Sequence, residues 1–454
     1  MRRLALASVL VVWTVSAAEP ALAHGFGGRT DLPVPRWLFV FGAGTALIVS
    51  FVALSALWTE PRFERRRPDP GRWTPFQRIL ASRSLEWTVR CLGLLAFLVV
   101  TAASLRRVEL TGTIGPIVVF NWFWVGLTFA QAVVGDLWST LSPFDTLGRV
   151  LFPERAGPPP RRYPKAWGAW PAALLLLGFV WVELVDPFGD VPGSLGLLIL
   201  AYTVIQIAGM LTFGRRDWIR GGEAFAVYLS LIAHLAPVTR DTGGRVVLRP
   251  PLAGLAEIEP RPGLLALVLI ALGSTTFDGL SRTGAWVART ATLTGLARIG
   301  VFTLGLLGTI GLVALAYALA MAAASRVVRG RWHVLAVRFA PSLVPIVLAY
   351  AVAHYFSFLL IEGQLGIIRL SDPFGWGWNL FGTADSSVNL ALLSPNLIWY
   401  VQVAAIVLGH IGGVVLAHDR AIALFPRSQA IRTQYALLGV MVLFTSVGLL
   451  ILSG

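Results

Sequence analysis

Five ionisable side chains lie inside or at the ends of long apolar stretches of this chain, where a charge is costly. They are His234, His354, His410, Asp278 and Glu362. An ionisable group in lipid costs roughly 3 kcal/mol or more, so it usually faces a protein interior or a cavity and marks function. Histidines and carboxylates from several helices are common ligands of metal sites in bundles, and they also suit a general base or a proton relay. We predict a metal site at His234, His354 and His410, with Asp278 and Glu362 as catalytic carboxylates.

The element that must position His410 is predicted over residues 396–420, NLIWYVQVAAIVLGHIGGVVLAHDR. About 20 apolar residues suffice to cross a bilayer, and this stretch is that long. Gly409, Gly412 and Gly413 flank the histidine, so a second helix is expected to approach closely there. His234 also has a purely structural interpretation, because a histidine near a predicted helix end is commonly interfacial or hydrogen-bonded.

The composition places these residues in a polytopic membrane protein. The 454 residues are 56% hydrophobic and 13% charged, with a mean hydropathy of +0.73, and a soluble domain cannot bury that much apolar surface. Seventeen tryptophans fit an anchoring role at the lipid–water boundary. The net charge of +14 does not indicate nucleic acid, because the basic residues lie in short loops between apolar runs. The single cysteine, Cys91, excludes an intrachain disulfide and a cysteine metal knuckle.

The order of segments predicts an all-α transmembrane helix bundle after a cleaved signal peptide. Residues 1–23 have the Arg2-Arg3 start, apolar core and small-residue cleavage site of such a peptide, which leaves residues 24–454 as one transmembrane helical domain. Eleven apolar runs follow, at about 38–58, 88–105, 115–138, 167–185, 194–213, 223–238, 263–277, 297–324, 339–361, 396–418 and 434–453. A bacterial cytoplasmic membrane with the mature N-terminus outside puts the first arginine-rich loops in the cytoplasm.

The charge of the later loops requires one short run not to cross. If 223–238 and 263–277 both span, the loop with Arg326, Arg329 and Arg331 falls outside, against the positive-inside rule. The second run ends in small and hydroxyl residues around Asp278, so we predict that 263–284 is a re-entrant or broken helix lining a cavity. The result is about ten spans, and eleven spans with one loop that violates the rule is the alternative.

Segments spread along the chain resemble bacterial membrane proteins of the fenitrothion hydrolase family. They are AHGFGGRTDLPVP, GDLWSTLSPFDTLGR, LGSTTFDGLSRTG, DPFGWGWNLFG and VLGHIGGVVLAHDRA. The resemblance implies a membrane-bound organophosphate hydrolase that cleaves a phosphotriester P–O bond, with a small apolar substrate and a second membrane subunit as partner. No residue role is implied by it. No HExxH, GxSxG, Walker or dinucleotide-binding motif is present.

Three functions therefore remain open from the sequence. The first is an outward-facing hydrolase that uses a divalent transition metal (Zn, Mn or Cu), since a metal polarises the phosphoryl oxygen and activates water. The second is a transporter or channel for a metal ion or small solute, because broken helices near the midplane are typical of transporters. The third is a non-catalytic subunit of a larger complex. Membrane lipid is the partner common to all three.

Overall fold

A computed structural model describes residues 35–63, 82–106, 112–152, 159–240 and 245–453. The predicted signal peptide, 1–23, lies outside these residues. The described chain is helical apart from one two-stranded hairpin, and nine of its helical segments are long and apolar enough to cross a membrane. The prediction of an all-α polytopic bundle is confirmed.

The long apolar helical segments have the following bounds. They are α1 (Arg36–Leu57), α2 (Arg83–Ser104), a π-helix (Ile117–Leu127) continued by α3 (Thr128–Val134), α6 (Trp170–Leu184), α7 (Ser194–Phe213), α11 (Leu264–Ser281), α13 (Gly295–Val328), α15 (Val344–Ile361), α17 (Pro395–Leu424) and α18 (Arg427–Ser453). Of these, α6 has 15 residues and is too short to count among the nine candidate spans.

Short elements connect these segments. They are α4 (Trp138–Leu141), α5 (Pro143–Leu151), α8 (Arg215–Gly221), α9 (Ala224–Ala233), β1 (Val238–Arg240), β2 (Val246–Leu248), α10 (Ala253–Ala256), α12 (Gly284–Thr290), α14 (Trp332–Phe339) and α16 (Gly363–Leu370). The strands β1 and β2 pair antiparallel, with Thr239 opposite Val247.

Helices α6 and α11 run side by side in the same direction. They start together, because Ala169 N donates to Pro262 O over 2.7 Å, and Glu183 near the end of α6 interacts electrostatically with Asp278 near the end of α11. Since α7 follows α6 and runs back, residues 214–263 begin and end at the same end of the bundle, where Arg215 and Leu264 line one cavity. We call this end the basic end, and it carries Arg149, Arg215, Arg216, Arg220 and Arg261.

The prediction that residues 263–284 are re-entrant or broken is therefore wrong. Helix α11 is continuous over 18 residues, about 27 Å at 1.5 Å per residue, close to the thickness of a bilayer core. The helix ends at Ser281, and Arg282 and Thr283 separate it from α12. Of the two short runs, the one that contains α9 has the shorter helix, with 10 residues, well below the length that crosses a bilayer.

Helix α9 lies inside the bundle and is capped by a buried acid. Almost all of its side chains are buried. The Glu223 carboxylate accepts hydrogen bonds from Tyr202 Oη at 2.6 Å and Trp138 Nε1 at 3.1 Å, and from two backbone N–H groups of α9. Because four donors satisfy this carboxylate, the start of a helix is tolerated within the protein interior.

Helices α15 and α17 pack closely, as the glycines predict. A Cβ atom on Gly409 would lie 2.1 Å from the Cβ of Ala349, and one on Gly413 would lie 2.9 Å from the carbonyl oxygen of Ser342. The expectation that glycines around His410 admit a second helix is confirmed.

The π-helix holds α15 and α16 at the end opposite the basic end. Asn121 Nδ2 donates to Phe358 O over 2.8 Å, and Trp122 Nε1 donates to Gly363 O over 3.0 Å. Wide helical turns of this kind occur frequently at functional sites, and Phe120 on this segment lines the cavity described next.

Candidate functional site

Asp278 is the centre of a buried polar cluster near the end of α11. Its side chain is 3% exposed. Tyr355 Oη donates to Asp278 Oδ2 over 2.8 Å, and Arg282 Nε, one helical turn along α11, donates to Oδ1 over 3.0 Å. His354 Nε2 lies 2.8 Å from Oδ2, although without the alignment of a hydrogen bond. Successive residues of α15 thus both reach one carboxylate of α11.

Glu183 adds a second carboxyl group to this cluster. It lies near the end of α6 and interacts electrostatically with both Asp278 and Arg282. A second carboxyl group therefore lies near the Asp278–Arg282 ion pair.

A cavity of about 260 Å³ lies beside the cluster, at the end opposite the basic end. Its polar lining comes from Glu183, Asp190, Tyr355, Glu362 and Arg369, and its remaining lining is mostly apolar. Burial raises the pKa of Asp190, which lies in the loop after α6. Tyr355 joins the two features, because it lines the cavity and its hydroxyl donates to Asp278. Asp278 does not line the cavity and is linked to it by the hydrogen bond from the Tyr355 phenol. The cavity can thus hold a small, largely apolar molecule against groups that donate and accept protons.

His234 lies at the basic end, far from Asp278. It lines a different cavity of about 1070 Å³ that also contains Asp136 and the start of α11 at Leu264. From Leu264, Asp278 is 14 residues along α11, about 21 Å. His234 Nδ1 lies 2.6 Å from Ser230 O, as the structural interpretation expected. Burial lowers the pKa of His234 and raises that of Asp136.

His410 is fully buried and packs against Tyr350 of α15 and Phe444 of α18. Its Nδ1 lies 2.9 Å from Ile406 O, and its ring is edge-on to Tyr350 with centroids 5.9 Å apart. Phe444 of α18 covers another side at 6.5 Å. The Nε2 atom has no hydrogen-bond partner among the described residues.

The three predicted metal-binding histidines therefore do not converge. Within the described ranges, no group of three or more His, Cys, Asp or Glu side chains is arranged to hold a metal ion. The closest approach to such a site, Asp278 with His354, already binds the Arg282 guanidinium, and that cation would repel a dication. The residues that the structure describes around Asp278 and His354 do not fit a Zn, Mn or Cu centre, so we derive no step through a metal.

Two members of the cluster, Arg282 and Glu183, are not among the predicted site residues. Arg282 lies within the segment LGSTTFDGLSRTG, and Glu183 lies within the apolar run 167–185. The signal for Glu183 was an acid near the end of the sequence WPAALLLLGFVWVEL, which is the same kind of costly residue as His410.

The fold and the site define a multi-pass α-helical membrane protein with a buried acid–base cluster. Comparison of the chain with protein-family models, curated proteins and solved structures finds no match.

Proposed function

We propose that the protein is an integral membrane hydrolase whose site is the 260 Å³ cavity and the Asp278 cluster beneath it. The observation that carries the proposal is Tyr355, which faces the cavity and donates its hydroxyl proton to a buried carboxylate with two further partners. The resemblance to the fenitrothion hydrolase family suggests small apolar phosphotriesters as the substrate class. The apolar part of the cavity lining suits such a molecule.

The proposed reaction needs only side chains that line or adjoin the cavity. Glu362 accepts a proton from a water molecule, and the resulting hydroxide forms a bond to phosphorus. The P–O bond to the aryl group breaks, and the aryl oxide leaves with the bonding electron pair. The single Tyr355 hydroxyl proton, which Asp278 accepts before the reaction, turns to the developing negative charge as the P–O bond breaks. Asp278, beside Arg282 and His354, sets the starting position of the phenol.

Hydrolysis of a chromogenic dialkyl 4-nitrophenyl phosphate by the purified full-length protein tests this function. Glu362→Gln should lower kcat at least about 100-fold, because general-base catalysis contributes about 100-fold or more. The matched control is Asp385→Asn, which removes an exposed carboxylate of the loop between α16 and α17. A wild-type protein that releases no nitrophenolate, or an equally active Glu362→Gln variant, would refute the assignment.

A transporter of small solutes is the second candidate, favoured by one specific observation. The cavities of about 260 and 1070 Å³ lie at opposite ends of the bundle, and between them lies α9, a helix that starts inside the protein. Such interrupted elements are characteristic of transporter sites. Uptake of an uncharged phosphotriester into proteoliposomes without turnover would favour transport over hydrolysis.

The proposed setting is a bacterial cytoplasmic membrane with the basic end in the cytoplasm and the mature N-terminus outside. The arginines of the basic end support it, because Lys and Arg of short loops stay on the cytoplasmic side. With Cys91 replaced by Ser, a single cysteine at Gly330 should react with maleimide only in inverted vesicles, and one at Asp385 only in right-side-out vesicles. We also propose a second membrane subunit as partner, which co-purification from the native membrane would test.

A further inference from the structure

We propose that Arg369 and Thr113 form an oxyanion-binding site in the wall of the 260 Å³ cavity. In the proposed reaction this site takes the phosphoryl oxygen of the substrate and then the dialkyl phosphate anion that hydrolysis produces. The ligand class rests on the proposed function, whereas the place of the site rests on the geometry of the cavity alone.

Arg369 brings a cation into this wall near the end of α16. The residue is half-buried and lines the cavity. Its Nε atom is buried and has no hydrogen-bond partner among the described residues, and no salt bridge within them involves its guanidinium group. A buried charged donor without an acceptor is costly, and a planar guanidinium group matches the oxygens of a phosphate group. The geometry therefore favours an oxyanion as the ligand of Arg369.

Thr113 supplies a second donor in the same wall. It is 2% exposed and lines the cavity, and its Oγ1 also has no hydrogen-bond partner in the described chain. The next residue, Ile114, donates its backbone N–H to Pro373 O over 3.1 Å. Because Pro373 follows Arg369 closely in the chain, the hydroxyl and the guanidinium group reach the cavity from adjoining segments.

Helix α16 directs the proposed base and the proposed anion ligand into one cavity. Glu362, Leu365 and Arg369 all line it, and their spacing of three and four residues places them on one helix face. Another face is fixed by the π-helix, since a Cβ atom on Gly366 would overlap the Trp122 ring. Glu362 and Arg369 are about 10 Å apart along the helix axis. A phosphotriester between them thus meets water activated by Glu362 at phosphorus and meets Arg369 at its phosphoryl oxygen.

The other charges of the cavity allow one anion to bind. Burial raises the pKa of Asp190, which favours its neutral form, and Glu183 has the Arg282 guanidinium group near it. Glu362 becomes neutral when it takes a proton from the attacking water. The new P–OH group passes its proton to the departing aryl oxide, so the product is a dialkyl phosphate monoanion. Arg369 is therefore the counter-ion of Glu362 before the reaction and of the product after it.

Binding of diethyl phosphate to the purified full-length protein tests the site without any turnover. A ligand-observed NMR titration gives the Kd. Arg369→Gln should raise this Kd at least about tenfold, because a charge-assisted pair is lost. Thr113→Val keeps the shape of the side chain and removes its hydroxyl, and it should raise the Kd about threefold. Arg298→Gln is the matched control, because Arg298 is also half-buried and lies over the Phe302 ring at 4.4 Å, outside the cavity wall.

Two results would overturn the site: wild-type protein without saturable binding of diethyl phosphate, or equal Kd values for wild type and Arg369→Gln. If Arg369→Gln fails to fold, Arg369→Lys replaces it. Lysine keeps the charge but not the planar fork, so it should still bind more weakly than wild type.

Nitrophenolate release by the same preparations separates this inference from the proposed function. Binding that depends on Arg369 in a protein without turnover would leave the anion site standing and reject only the hydrolase. Turnover that Arg369→Gln does not change, with no loss of diethyl phosphate binding, would keep the hydrolase and reject the site.

Discussion

His354 Nε2 lies 2.8 Å from Oδ2 of Asp278, and this contact joins α15 to α11 near the end of both helices. The same carboxylate accepts from Tyr355 and Arg282. Every one of these groups is costly to place in a membrane bundle alone, and their proximity offsets part of that cost. The cluster therefore connects α11 to α15 and also positions the Tyr355 phenol beside the cavity.

Asp278→Asn should lower kcat for phosphotriester hydrolysis at least about 100-fold while changing KM little. The amide no longer accepts the Tyr355 proton with a full negative charge, although the shape of the residue is kept. Tyr355→Phe should cost a similar factor, and the double variant should be no slower than either single variant, because the two side chains act as one unit. Additive losses in the double variant would show that Asp278 and Tyr355 contribute separately, against this role.

His410→Leu should leave hydrolysis within about twofold of wild type. The imidazole contacts Tyr350 and Phe444 and no carboxylate in the described chain, and its Nε2 is buried without a partner. Replacing a buried, half-satisfied polar ring by an apolar side chain is neutral or stabilising by about 1 kcal/mol. Thermal unfolding in detergent and the nitrophenolate assay measure both effects. His354→Leu is the comparison, and it should lose activity. A tenfold loss in a folded His410→Leu protein would return this residue to the site.

The sequence predicted the helical class and the close helix contact at Gly409 because both depend on local pattern. Apolar length sets the number of candidate spans, and a run of small residues sets how near a neighbour can come. Depth along a span follows from sequence only where the segment does cross, and His234, in a short run that does not, lies at the other end from Asp278, His354 and Glu362. Those three lie near one another, with Glu362 in the adjoining cavity wall.

The partners of each side chain could not be predicted, because a span's periodicity does not say which helix faces which. His354 and Tyr350 lie one turn apart on α15, yet the first meets Asp278 and the second meets His410. The choice between α9 and residues 263–284 failed for a related reason. Both runs are short and apolar, and the distinguishing signal was Glu223, an acid directly before an apolar helix that acts as its N-cap.

Gly409→Ala should destabilise the protein by about 1–3 kcal/mol, because the added methyl group would overlap Ala349 and force α15 and α17 apart. Gly439→Ala on α18 is the matched control. A Cβ there meets nothing within 4 Å, so the substitution should be neutral or stabilise by up to about 1 kcal/mol through helix propensity. Thermal unfolding midpoints of the two variants give the comparison. Equal midpoints would mean that the two helices are not in contact at Gly409.

Asp145→Asn should remove an acid-sensitive part of the protein's stability. Asp145 begins α5 at the basic end and binds Arg90 at 2.8 Å, Arg149 at 2.9 Å and also Arg215. Burial acts to raise the pKa of Asp145, but the Arg149 and Arg215 guanidinium groups outweigh it and hold the pKa below its usual value of 3.8. A carboxyl group with a depressed pKa in the folded state contributes stability above pH 3.8 and loses it as the pH falls through the folded pKa. Removal of one partner from a buried ion pair costs about 3–5 kcal/mol.

The unfolding midpoint of the wild type should therefore fall as the pH is lowered from about 5 toward about 3, because the Asp145 carboxylate takes up a proton more readily in the unfolded chain. Asp145→Asn should start from a lower midpoint at pH 7 and show a shallower fall in acid, since its amide does not titrate. Asp217→Asn, an exposed aspartate in the wall of the same cavity, is the control and should keep the wild-type profile. If Asp145→Asn and wild type had parallel profiles, the three arginines would not depend on this carboxylate for their arrangement.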